Sequence, residues 1–208
     1  MLLILAFGLI GLAYGLGSLP FAVIVSKGMG LADPRTFGSN NPGATNVLRS
    51  GNKKAAILTL IGDLLKGTVA VWIAQWLSIK YGLPSLVTAA CAIAVFLGHV
   101  FPFTLGFKGG KGVATAIGIL IAIQPLLALA CALTWIAVAY FTRYSSLSAI
   151  IAALLAPAYY GLGAGNLWPM DKATALSVGL LSLLLLWRHQ TNISRLLQGK
   201  ESRIGQKK

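Results

Sequence analysis

The stretch from Val113 to Thr142, VATAIGILIAIQPLLALACALTWIAVAYFT, decides the fold. At about 1.5 Å per residue it would form a single helix about 45 Å long. A hydrocarbon core is about 30 Å thick, so the stretch is too long for one crossing and short for two. Gln124-Pro125 stands near its middle, and proline disfavours helix in the residue before it. We read two short helices, 113–123 and 126–142, the first gaining length from the glycine loop ahead of it.

Working outward, five further apolar stretches lie at 2–25, 55–78, 85–105, 147–162 and 173–187. With 57% hydrophobic residues and a mean hydropathy of +0.80, the chain is too apolar for a soluble domain. The expected fold is an all-α integral membrane protein, a bundle of seven transmembrane helices forming a single polytopic domain over 1–208. The first run carries no basic residue before Lys27, so it reads as an uncleaved span and not a signal peptide. Connectors 26–54, 106–112 and 143–146 and the tail 188–208 then hold 14 lysines and arginines, against Lys80 and Lys172 on the other side. That asymmetry predicts the N-terminus outside and the C-terminus in the cytoplasm. Merging 113–142 into one span would set Arg143 and the basic tail on opposite sides.

The net charge of +13 does not point to nucleic acid, because the basic residues sit in short connectors and form no stripe. The four acidic residues, Asp33, Asp63, Asp171 and Glu201, are too few for a carboxylate dyad or a carboxylate-held metal. Cys91 and Cys131 lie inside apolar runs and read as small buried hydrophobes. His99 and His189, with no carboxylate nearby in sequence, make poor zinc ligands. No cofactor or metal is expected.

The polar residues gather in the inner connectors. Gly38 to Asn46, GSNNPGATN, is rich in turn formers and carries Ser39, Asn41, Thr45 and Asn46 as small donors. Arg49, just beyond, can fork onto a phosphate or serve as a basic anchor. In Phe107-Lys108-Gly109-Gly110-Lys111-Gly112 the glycines allow close backbone approach, and Lys111 stands where a helix begins. The spacing is not that of a Walker A loop. Ser145 and Ser146 open a helix and read as donors or caps, since nothing local supplies a base. His189 and Asn192, spaced i and i+3, share a helix face and can both reach an anion. His99 serves either function or a helix–helix hydrogen bond. Asp63 and Lys66 read as a neutralising pair before a substrate contact. Together these stretches suggest a membrane enzyme acting on phosphate esters.

The motifs, in order, resemble the bacterial acyl-phosphate-dependent glycerol-3-phosphate acyltransferase family over essentially the whole chain. They are Gly17-Ser18-Leu19-Pro20; Asp33-x-Arg35 with Gly38-Ser39 through Gly43-Ala44-Thr45-Asn46; and Asp63-x-x-Lys66-Gly67. Next come Gly98-His99 with Phe101-Pro102, and Phe107 through Thr115. Arg143 with Ser145-Ser146, and His189-x-x-Asn192-Ile193-x-Arg195-Leu196-Leu197, complete the set. Asn40 stands where the family usually has glycine, and asparagine tolerates left-handed backbone.

The resemblance implies transfer of a fatty acyl group from acyl phosphate to the 1-hydroxyl of glycerol 3-phosphate, giving lysophosphatidate and phosphate. It places the enzyme in the bacterial inner membrane, facing the cytoplasm, with the soluble enzyme that makes acyl phosphate as a candidate partner. Acyl phosphate is already activated, so positioning and charge neutralisation suffice. Lys111, Ser39, Arg49, His189 and Asn192 are the expected catalytic residues. Asn41, Thr45, Asn46, Gly109, Gly110, Gly112, Ser145 and Ser146 are the expected substrate-binding residues. The His-x4-Asp pair of acyl-CoA-dependent enzymes is missing, since Thr104 and Ser194 stand where its aspartate would be. The alternative is a transporter for a phosphorylated solute, which would favour polar groups at mid-membrane and an inverted repeat.

Overall fold

The computed structural model describes residues 1–205; Gln206, Lys207 and Lys208, two of them counted among the tail charges, lie outside the described residues. Those residues form ten α-helices, and the single β-type pairing among them is an isolated bridge between Ala164 and Trp168. The chain divides into two compact units, Met1–Ile123 and Gln124–Lys208.

The first unit holds α1 (Leu2–Gly17), α2 (Phe21–Gly28), α3 (Ala44–Leu48), α4 (Lys53–Tyr81), α5 (Ser85–Val100) and α6 (Val113–Ile123). The first apolar run is not one helix. It bends by 42° between α1 and α2, at Ser18-Leu19-Pro20. Pro20 lacks an N–H to continue the ladder, and the Leu19 carbonyl at the bend accepts a hydrogen bond from Lys66 Nζ at 2.8 Å. Helices pack closely because glycines lie at their crossings. A side chain at Gly17 or Gly98 would strike the opposite backbone across the α1–α5 contact, and one at Gly67 or Gly118 would do so across α4–α6. Thr68 Oγ1 then reaches the Gly118 carbonyl at 2.8 Å.

The second unit holds α7 (Pro125–Thr142), α8 (Ser145–Gly163), α9 (Lys172–Arg188) and α10 (Gln190–Leu197). The break at Gln124-Pro125 falls where the sequence places it: Gln124 is extended and proline takes the first turn of α7. Four helices, α4, α5 with the short turn after it, α7 and α8, are long and apolar enough to cross a membrane, and the bent α1–α2 pair makes a fifth if it is a single broken span. At 11 residues, α6 is shorter than a crossing requires.

Candidate active site

The long connector of the first unit is an ordered structure. Val47 of α3 is fully buried with Ala22, Ala55 and Ala56, which pins the loop onto α2 and α4. Asn46 then organises the polar segment. It is 2% exposed, and its Oδ1 accepts from the Ser39 N–H at 2.9 Å. Its Nδ2 donates to the carbonyls of Pro34 at 2.6 Å and Phe37 at 3.1 Å. Arg49 Nη1 lies 3.4 Å from the same Oδ1. The side chain that sequence offers to substrate thus holds the loop, and it leaves Ser39, Thr45 and Arg49 on the exposed side. Asn41 is half-buried. Asn40 takes the left-handed conformation with φ +54°, as expected of an asparagine replacing glycine. Lower in the loop, hydrogen bonds from the Arg35 side chain hold the Asp33 carboxyl below its usual pKa.

The glycine loop folds back on α5. Gly109 and Gly110 donate their N–H groups to the carbonyls of Val100 at 3.0 Å and His99 at 3.2 Å. Those two donors therefore face the helix and are not turned out as an anion nest. The glycines serve the close approach instead, since a side chain at Gly109 or Gly110 would run into His99. Gly106 and Phe107 are both left-handed, at φ +58° and +62°. A bulky residue in that region is strained, and such strain concentrates at functional loops. Lys111, half-buried, follows at the start of α6, whose first N–H groups have no intrahelical partner by helix geometry. An ideal Cβ on Gly110 would come within 3.1 Å of the Pro42 carbonyl, so the two loops meet within this unit.

Behind the glycine loop Asp63, Lys66 and His99 come together. Lys66 Nζ lies 2.8 Å and His99 Nδ1 3.5 Å from Asp63 Oδ1. The neutralising pair is formed as expected. His99, far from any carboxylate in sequence, is next to one because α4 and α5 pack side by side. Among the described residues no three His, Cys, Asp or Glu side chains gather as a metal would need.

In the second unit the expected anion-binding residues already hold an anion, the carboxylate of Glu201. Its Oε1 accepts from Ser146 Oγ at 2.8 Å and from Asn192 Nδ2 at 2.6 Å, and its Oε2 accepts from Arg195 Nε at 2.8 Å. Burial pushes this carboxyl up, but the hydrogen bonds from Arg195, Ser146 and Asn192 outweigh it and hold the group below its usual value. The tail is pinned further where the Ile204 N–H meets the Arg143 carbonyl at 2.7 Å and Arg203 Nε meets Tyr144 Oη at 3.2 Å. His189 is 2% exposed and breaks the helix between α9 and α10. It is not one continuous helix that carries His189 and Asn192. His189 Nδ1 lies 2.8 Å from the Leu185 carbonyl, which can only accept, so Nδ1 holds the proton. Ser145 opens α8 at its first position.

Residues 7–199 match the family described as Glycerol-3-phosphate acyltransferase. The chain belongs to that family. A glycerol-3-phosphate acyltransferase of Bordetella avium is 60% identical over 202 residues, covering 96% of this chain and 93% of that protein. One from Paraburkholderia phymatum is 59% identical over 196 residues, covering 94% and 91%. The crystal structure of PlsY (YgiH), an integral membrane glycerol 3-phosphate acyltransferase, in its glycerol 3-phosphate form, superposes with a TM-score of 0.87. It is 38% identical and covers 96% of each chain. The lysophosphatidic acid form gives 0.85 at 37% identity, covering 96% of this chain and 95% of that one.

The transporter reading is overturned by these matches; the protein is an acyltransferase of the membrane. For this acyltransferase, sequence reasoning missed the part played by Glu201. The signal was present: Glu201 is one of only four acidic residues and stands alone in a basic tail. Nothing local supplies a base to the serines, but the tail brings the Glu201 carboxylate to Ser146 from 55 residues away. A carboxylate already accepting three hydrogen bonds, one from an arginine, is a weak base.

Proposed function

We propose that this acyltransferase takes its acyl group from acyl phosphate and delivers it to the 1-hydroxyl of sn-glycerol 3-phosphate. The observation that carries the reading is the meeting of the Ser39–Arg49 loop with the Lys111 loop in the first unit. It gathers two cations, a hydroxyl and a helix N-terminus, and so suits phosphorylated substrates.

Lys111 neutralises phosphate charge at the start of α6, while Ser39 and Arg49 contribute from the first loop with Asn41 and Thr45. Asn46 contributes through the loop it holds, and Gly109, Gly110 and Gly112 through the close approach they permit. Of the second unit's candidates Ser145, Ser146, His189 and Asn192, Ser146 and Asn192 are held by the Glu201 carboxylate. The 1-hydroxyl attacks the acyl carbonyl, the new ester C–O bond forms, and the bond from that carbon to the phosphate oxygen breaks. The hydroxyl proton passes to a substrate phosphate oxygen, and inorganic phosphate leaves. No acyl-enzyme is formed.

The 14-to-2 distribution of basic residues supports seven crossings within one membrane domain, with the N-terminus outside and the tail inside. The site then faces the cytoplasm from the bacterial inner membrane, where a soluble enzyme making acyl phosphate can deliver its product. The test is acyl transfer by the purified protein with acyl phosphate or acyl-CoA as sole donor. Lysophosphatidate and phosphate should form from acyl phosphate alone, and equal turnover with acyl-CoA would overturn the donor assignment.

A further inference from the structure

Behind the glycine loop lies a buried polar cluster that no step of the proposed reaction uses. Asp63 and Lys66 of α4, His99 of α5 and Thr115 of α6 are 3%, 5%, 7% and 0% exposed. Lys66 Nζ bridges Asp63 Oδ1 and the Leu19 carbonyl, each at 2.8 Å, and so ties the cluster to the α1–α2 bend. On the same side, His99 Nδ1 lies 3.1 Å from Thr115 Oγ1 and 3.5 Å from Asp63 Oδ1. Three helices thus fix that edge of the imidazole. Its opposite edge, Nε2, faces Gly110 so closely that an added Cβ would collide with it. The main chain of α5 takes up the same loop, with the His99 carbonyl accepting from Gly110 and the Val100 carbonyl from Gly109. Lys111 is the next residue. A buried ion pair is weak evidence for stability, since apolar side chains often do as well or better, and ionisable groups within a span mark functional positions.

We propose that His99 is a positioning residue for acyl transfer: its ring, held by Asp63, Lys66 and Thr115, abuts Gly110 and sets where Lys111 stands. The proposal rests on Lys111 being the cation that holds substrate phosphate. It gives the Asp63–Lys66 pair a purpose beyond neutralisation, since the pair and the Thr115 hydroxyl orient the ring from one side while Gly110 is pressed from the other. A displacement of about 1 Å at a positioning group can cost about 10²-fold in rate.

The experiment is a double-mutant cycle on the purified full-length protein, reading kcat and KM for acyl phosphate and glycerol 3-phosphate. Gly110→Ala drives a methyl into the ring and should lower kcat/KM by at least about tenfold. Removing the ring makes room for that methyl. The His99→Ala/Gly110→Ala double variant should therefore be more active than Gly110→Ala alone, short of wild type because the methyl still crowds the Pro42 carbonyl. Losses that multiply independently, as a purely structural histidine would give, overturn the proposal, and so does full activity in Gly110→Ala. Where His99→Ala does not fold, His99→Asn carries the same cycle, because its amide can meet Thr115 and Asp63 without the far edge of the ring. Lys111→Ala separates the two ideas. Near-normal activity there overturns the phosphate reading itself, whereas an inactive Lys111→Ala with an additive cycle overturns only the role of His99.

Discussion

Ser146 donates its hydroxyl to the carboxylate of Glu201, 2.8 Å away in space and 55 residues away in sequence. The bond folds the tail onto the first turn of α8 and, with Asn192 and Arg195, gives the carboxylate three donors. The sign of its pH dependence follows. Glu201 titrates below its usual value in the folded chain, so the stability it contributes is complete above the ordinary glutamate pKa and is lost as pH falls through the lower folded value. Glu201→Gln should loosen the tail at neutral pH by about 1–2 kcal/mol, a figure discounted for the water around Arg195. Amide hydrogen exchange within 195–203 should be faster in the variant at neutral pH and converge with wild type in acid. Equal rates at neutral pH would show that the contact carries no weight.

Lys111→Ala should lose about 10²–10³-fold in turnover, because it removes the charge proposed to hold substrate phosphate. Lys80, paired with the rings of Trp76 and Tyr81 at the far end of α4, is an anchor. Its alanine variant should stay within about twofold of wild type, as expected of a surface position. Steady-state kinetics beside thermal unfolding check both.

Asn46→Asp should be worse than Asn46→Ala. The alanine leaves the Ser39 N–H and the Pro34 and Phe37 carbonyls without their buried partner, at about 1–3 kcal/mol. The aspartate additionally turns a carboxylate oxygen toward those two carbonyls. Both variants should lose activity through displacement of Ser39 and Arg49, seen as a fall in kcat/KM and faster proteolysis within 34–49. An Asn46→Asp protein with wild-type kinetics would refute the loop argument.

Direct transfer leaves a kinetic signature. Glu201 is too well stabilised as an anion to serve as a strong base toward Ser146, so no burst of phosphate should precede lysophosphatidate and no acyl label should stay on the protein. Chelators should leave the rate unchanged. An acylated Ser146 trapped on the time scale of turnover would establish a covalent route.

Orientation is checked by labelling single cysteines in intact cells and in inverted vesicles. Position 49 should react only from the cytoplasmic side and position 80 only from outside. The reverse pattern at either position would invert the topology.

Sequence alone determined the helical membrane class, the break at Gln124-Pro125, the three polar connectors and, through seven ordered motifs, the family. Each is a local property: apolar runs long enough for a bilayer, a proline that cannot donate, and turn residues at fixed spacing. The left-handed Asn40 was legible for the same reason, since its conformation follows from its own side chain. Partnerships were not legible. That Asn46 faces inward to hold Ser39, that the Gly109 and Gly110 N–H groups point at α5, that Asp63 reaches His99 and that Glu201 returns to Ser146 all depend on which helices pack together. A donor in a sequence advertises only that it needs an acceptor, and in a low-dielectric interior the tertiary fold chooses it, because a buried polar group left unmatched costs more than the bond itself contributes.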